Sequence, residues 1–250
     1  MRKQMTSITK RVKNAALNAL FPRRCPLCGA FLSPAERICG KCADNLVYIN
    51  RPICGRCGRP IFDCDCRPGE FCFERSVAPF SYTKAARSGI HRLKFDKKAS
   101  AAAFFANMMA SVVVREYSDY NIHIVTSVPL HRDSETKRGY NQSQLLASGV
   151  ARALELRVDN GILIKPVKNS VQHSLSRQER VRNVRDVYRV ARPDLIKNRT
   201  VLLCDDVMTT GSTLNECAKV LLEAGAARVL CVTACRVCES NQGGMKRAVI

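Results

Sequence analysis

The run Val201-Leu202-Leu203-Cys204-Asp205-Asp206-Val207-Met208-Thr209-Thr210-Gly211-Ser212-Thr213-Leu214 constrains this chain more than any other stretch. Its apolar start reads as a buried strand over Arg199 to Cys204, ending at two adjacent carboxylates. A loop of Thr, Gly and Ser then opens a helix over Leu214 to Leu222, stopped by Gly225. Free N–H groups at a helix start bind phosphate, and the hydroxyls of Thr209, Thr210, Ser212 and Thr213 add donors. Gly211 lets the backbone approach closely. Two carboxylates beside a phosphate cradle would repel it unless they face something else. Vicinal ribose hydroxyls with a divalent ion nearby are such a target, so the arrangement fits a sugar carrying a 5-phosphate. The plainer alternative is a core strand followed by a helix that uses Asp and Thr as caps. No GxxxxGK[ST] is present, which excludes a Walker-type nucleotide loop.

The surrounding sequence from about Val77 onward alternates strand and helix signals. Asn121 to Val128 reads as a strand running into Pro129. Tyr140 to Leu156 has helical spacing through Leu145, Leu146, Val150 and Leu154, and Ala227 to Ala234 is a further strand. Strands alternating with helices predict a mainly parallel sheet with crossovers.

Ahead of this half lies a segment of different character. Nine of the fourteen cysteines fall from Cys25 to Cys72, and none lies between Cys72 and Cys204. Cys25-Pro-Leu-Cys28 and Cys39-Gly-Lys-Cys42 are two tight knuckles, each able to put two thiolates on one metal, and together they complete a tetrahedral zinc site. Cys54-Gly-Arg-Cys57 with Cys64-Asp-Cys66 forms a second, less regular set. Interleaved pairing, with Cys25 and Cys28 sharing a metal with Cys54 and Cys57, stays open from spacing alone. Arg24 to Arg75 is poor in long apolar residues, so it needs such a staple to fold. No histidine lies in it, and four closed thiolates leave no position for substrate, which makes its role structural or partner-docking.

A net charge of +20 favours a phosphate-bearing partner, and basic residues concentrate in the first two dozen residues, from Lys84 to Lys98, and from Arg177 to Arg199. Met1 to Phe21 has no acidic residue and places Ile8, Val12, Ala15, Ala16 and Ala19 on one helical face, a basic amphipathic leader ended by Pro22. No run of eighteen apolar residues predicts a membrane span, and no secretory h-region follows Met1. The cysteines are therefore expected to be reduced, metal-holding and cytoplasmic.

The Asp205-to-Thr213 stretch resembles the motif with which type I phosphoribosyltransferases bind 5-phosphoribosyl-1-pyrophosphate (PRPP). The chain from Cys25 to Arg236 is similar to the ComF family, known from competence and GntX-like proteins. The resemblance rests also on the cysteine pairs, His91-Arg92-Leu93-Lys94-Phe95, Val128-Pro129-Leu130, Arg138-Gly139-Tyr140-Asn141-Gln142, and Gln172 with Leu175-Ser176-Arg177 and Glu179-Arg180 leading to Asn183. The family usually carries a CxxC where this chain has Cys64-Asp-Cys66. The resemblance implies an α/β type I phosphoribosyltransferase fold, a parallel sheet flanked by helices, behind a small zinc-ribbon module. It divides the chain into a leader (1–23), a zinc module (24–75), a phosphoribosyltransferase-like domain (76–239) and a tail (240–250). It implies Mg²⁺-dependent binding of PRPP at Asp205, Asp206 and Thr209 to Thr213, with Arg132, Lys137 and Arg138 toward pyrophosphate. Arg177 and Arg180 would sit in a loop that closes over the reacting sugar. The acceptor is not legible. By family the chain is linked to DNA uptake, so single-stranded DNA and DNA-processing proteins are candidate partners. A DNA-handling protein or a PRPP sensor that keeps the fold without catalysis stands beside the enzyme reading.

Overall fold

The computed structural model describes residues 23–95, 99–130, 135–136, 138–165 and 187–238. Its centre is a parallel sheet of β1 (Arg75–Val77), β2 (Phe80–Ser81), β3 (Ile124–Ser127), β6 (Thr200–Met208) and β7 (Arg228–Arg236). β6 lies between β3 and β7, and both β1 and β2 pair with the far edge of β7. β4 (Leu163–Ile164) and β5 (Arg189–Val190) form a separate antiparallel pair. The described helices are α1 (Gly40–Asn45), α2 (Lys84–Phe95), α3 (Ala99–Glu116), α4 (Gln142–Leu154) and α5 (Ser212–Glu223).

The sheet is buried on both faces, which is why β6 and β7 carry apolar runs at residues 201–204 and 229–232. Side chains alternate across it. Leu202 and Cys204 join a core with α2, α3 and α4 on one face, while Val201 and Leu203 join a second core with α5 and the β4–β5 pair on the other.

Each half of the cysteine-rich segment is built into one of these cores. Cys25, Leu27, Cys42 and Leu46 pack with Ile90 and Phe105, whereas Cys57, Phe71 and Phe73 pack with Met208 and Leu214. The segment thus borrows its apolar interior from the α/β half, as its shortage of long apolar residues requires. A buried carboxylate fixes the junction. Glu116, at the end of α3, accepts from Arg51 at 3.0 and 3.1 Å, from Arg75 at 2.8 Å and from Arg115 at 2.9 Å. Burial pushes its carboxyl pKa up, and the guanidinium groups of Arg51 and Arg115 outweigh burial and bring it below the usual value.

The observed elements differ from expectation mainly at their ends. The strand expected to stop at Cys204 continues through both aspartates to Met208, because β7 runs alongside it to the Met208–Arg236 pair. The helix expected from Tyr140 starts at Gln142, since the Asn141 side chain accepts from the Ser143 N–H at 2.9 Å and caps it there.

Candidate functional site

The end of β6 and the loop into α5 bring together what the sequence places in one run. Asp205 and Asp206 are both buried, and as strand neighbours they face opposite sides of the sheet. Thr209, Thr210, Ser212 and Thr213 are exposed, while Gly211 is buried and sits at φ +92° as the residue before α5. The loop is pinned by its own hydroxyls: Thr210 Oγ1 lies 2.9 Å from Ser212 Oγ and accepts from the Ser212 N–H at 3.3 Å. α5 has no acidic residue in its first turn, so nothing there offsets the positive end of its dipole. A Cβ on Gly211 would lie 2.5 Å from Met208 Cε and 3.0 Å from Phe71 Cε1. The glycine is therefore required by the backing of the loop and by its left-handed backbone.

Partners of the aspartates come from distant elements. Ser143 Oγ, in the first turn of α4, donates to Asp205 Oδ1 at 2.7 Å, and the Asp206 N–H donates to the same oxygen at 2.9 Å. Burial, then the neighbouring Asp206 charge, push the Asp205 carboxyl up to about 7, against the opposing pull of these donors. Lys94 Nζ, near the end of α2, lies 2.6 Å from Asp206 Oδ2. No other partner of that oxygen is found among the described residues, and a carboxylate oxygen can accept more than one donor. Lys94 belongs to the His91–Phe95 run, which the sequence left without a role. Ser143 and Asn141, whose amide donates to the Val128 carbonyl at 3.0 Å, were likewise missed as site-forming residues. The Arg138-Gly139-Tyr140-Asn141-Gln142 motif was the signal present for them.

The loop expected beside the aspartates is partly described. β3 pairs Ser127 with Cys204, so Val128-Pro129-Leu130 leaves the sheet next to Asp205. Arg138 Nη1 donates to Gln142 Oε1 at 3.0 Å, and its guanidinium lies 5.3 Å from the Phe95 ring centre. Phe95 is exposed and also touches the His91 ring, with centres 4.6 Å apart. Arg132, Lys137, Arg177 and Arg180 lie outside the described residues, as do most of the leader and the tail. β4 and β5, which flank residues 166–186, pair antiparallel close to Tyr188, a buried residue packed with Leu214 and Cys217 of α5.

The cysteines form two clusters, Cys25, Cys28, Cys39 and Cys42, and Cys54, Cys57, Cys64 and Cys66, with the sulfurs of each within 4.8 Å of one another. This settles the pairing in favour of sequential ribbons. S···S separations of 3.3–3.6 Å suit four thiolates around one ion with Zn–S bonds of about 2.3 Å. The short Cys64-Asp-Cys66 spacing still closes the second cluster. Burial raises the Cys54 thiol, but the N–H groups of Cys57 and Arg56 outweigh it and bring it down to about 6. Both donor sets are those of closed structural zinc sites.

Among the described residues no helix is long and apolar enough to cross a membrane. The sequence matches the double zinc ribbon domain over residues 16–74 and the phosphoribosyl transferase domain over residues 141–247. It is 31% identical over 215 residues to the DNA utilization protein YhgH of Salmonella typhi, covering 85% of this chain and 89% of the relative. It is 30% identical over 223 residues to competence protein F of Haemophilus influenzae, covering 84% and 95%. Against competence protein ComFC of Bacillus subtilis it is 27% identical, covering 78% and 82%. With two zinc ribbons set against a parallel sheet of the type I phosphoribosyltransferase kind, and with these relatives matched over most of their length, the chain belongs to the ComF family.

Proposed function

We propose that the protein binds PRPP at the carboxyl end of β6 and, with Mg²⁺, transfers its phosphoribosyl group to an acceptor. One observation carries this reading. β6 delivers two buried carboxylates directly ahead of an exposed, hydroxyl-rich loop at the positive end of α5. Asp205 and Asp206 would take the ribose hydroxyls, directly or through the metal, and Thr209 to Thr213 the 5-phosphate. Asp206 Oδ2 has acceptor capacity to spare, and Asp205, on the opposite face, is partnered by Ser143. Mg²⁺, when bound, supplies neutralisation of the pyrophosphate leaving group. The side chains fix the sugar, and Arg138, which donates to Gln142 beside Ser143, is a described cation for the pyrophosphate. The reaction breaks the bond from ribose C1 to pyrophosphate and forms one to the acceptor. Titration with PRPP with and without Mg²⁺, together with a pyrophosphate-release assay, tests it. Binding with release upholds the enzyme, binding without release makes the protein a sensor, and no binding removes the assignment.

A second reading, handling of single-stranded DNA, is favoured by Phe95, an exposed ring flanked by His91 and Arg138, and by Phe31 under the Arg24 guanidinium at 4.3 Å. A ring beside a cation suits a stacked base and its phosphate. The relatives named for competence and DNA utilization agree with it, and the reading puts its action in the cytoplasm, where zinc-binding thiols stay reduced.

A further inference from the structure

Contacts run from the second cysteine cluster to the loop between β6 and α5 by several routes. Phe71, a few residues past Cys66, stacks on Phe73 with ring centres 4.7 Å apart and lies against Gly211. The Cys72 N–H donates to Asn215 Oδ1, in α5, at 2.5 Å. Met208 covers the same side of Gly211, and its sulfur accepts from Ser76 Oγ at 3.2 Å. The Ser76 N–H in turn donates to the Arg56 carbonyl, inside the Cys54–Cys57 knuckle, at 2.8 Å. Gly58, at φ +71°, is held so close to this strand that a Cβ on it would lie 2.3 Å from the Ser76 carbonyl oxygen.

Charge joins the same parts. Four thiolates around Zn²⁺ leave a net charge of about −2, which in a buried setting needs cations beside it. Arg236, at the end of β7, is buried, and its Nε and Nη1 have no hydrogen-bond partner among the described residues. Its guanidinium lies beside the Cys57 thiol. In the sheet Arg236 is the register partner of Met208, and the Val237 N–H donates to the Met208 carbonyl at 3.0 Å.

We propose that the second zinc ribbon is a positioning element for the β6–α5 loop: zinc held by Cys54, Cys57, Cys64 and Cys66 keeps Phe71 and Met208 seated against Gly211. Phe71 acts here as a positioning residue, touching the loop from behind. The loop then keeps its anion-binding shape only while that cluster is metallated. This rests on reading the loop as a 5-phosphate cradle.

The test uses the full chain and ribose 5-phosphate as probe. Calorimetry is run on the parent, on Phe71→Ala and on Cys66→Ser, with zinc content and melting temperature measured alongside. Phe71→Ala is expected to keep its zinc and lose at least about tenfold in affinity, the loss of one charge-assisted bond. Cys66→Ser is expected to lose zinc and the same affinity. Phe71→Ala binding as tightly as the parent overturns the proposal, even if Cys66→Ser fails to fold. A second readout separates this inference from the reading of the loop. The ¹³C ε-methyl signal of Met208, assigned through Met208→Leu, is followed while a chelator removes zinc. Should the parent not bind ribose 5-phosphate, the cradle assignment falls, and the methyl decides the coupling. A Met208 signal that moves ahead of that of Met109, in the other core, upholds it, and one that stays put or moves only together with Met109 overturns it.

Discussion

Asp205 and Asp206 are neighbours in sequence with different surroundings, and that difference is measurable. Asp206 is paired with Lys94, whereas Asp205 is buried against Ser143 with its carboxyl pushed up to about 7. A carboxyl whose folded pKa is raised binds more protons folded than unfolded between its ordinary range and about 7, so stability falls as pH rises through that window. Melting curves of the apo protein across pH 4 to 8 are expected to show this decline, and Asp205→Asn to flatten it and to raise stability at neutral pH. An unchanged pH profile in Asp205→Asn would show that burial of this group costs nothing. Gly211→Val should be more disruptive than either aspartate change. The left-handed backbone alone costs a non-glycine residue about 1–2 kcal/mol, and the added atoms collide with Met208 and Phe71. A lower melting temperature together with lost ribose 5-phosphate binding is the expected result, and a parent-like variant speaks against the described loop.

At the scale of elements, the two ribbons are expected to hold one zinc each. Purified under reducing conditions, the protein should carry two equivalents, and chelation should expose the cores that Leu27 and Phe73 help to fill. Less than half an equivalent would refute the metal assignment. The elements also show what a sequence discloses. Val201 to Cys204 was legible because an uninterrupted apolar run suits a strand covered on both faces. Its continuation through Asp205 and Asp206 was not, because carboxylates signal a strand end unless a neighbouring strand extends past them, as β7 does. The cysteine clusters were legible as knuckles, but their sequential pairing needed coordinates, since spacing permits either arrangement. Lys94 and Ser143 could not be read as partners of the aspartates, because no local pattern connects α2 and α4 to the end of β6. The Arg56, Ser76 and Met208 chain behind the loop is equally nonlocal. In each case the chemistry-bearing residue was visible and the contact that gives it meaning was long-range.

Taken whole, the molecule joins a strongly basic chain to a site with two carboxylates at its centre. A net charge of +20 predicts that any binding of single-stranded DNA is driven by counterion release and weakens steeply between low and physiological salt. Deleting residues 1–21 and neutralising Arg177, Arg180 and Arg182 should reduce both the affinity and its salt slope. Binding that ignores salt, or that survives those changes, would assign DNA contact to another surface, with Phe95 the first to examine. The ribbons are packed into both cores, so metal content belongs beside every binding measurement. The decisive experiment is calorimetry of PRPP in Mg²⁺ on the zinc-loaded parent and on the Asp205→Ala, Asp206→Ala double variant. Saturable binding by the parent, weakened at least about tenfold in the double variant, is the expected outcome, in line with charge-assisted bonds of roughly 1.5–3 kcal/mol each. A parent that does not bind PRPP, or a double variant that binds it equally well, would contradict the assignment of this site.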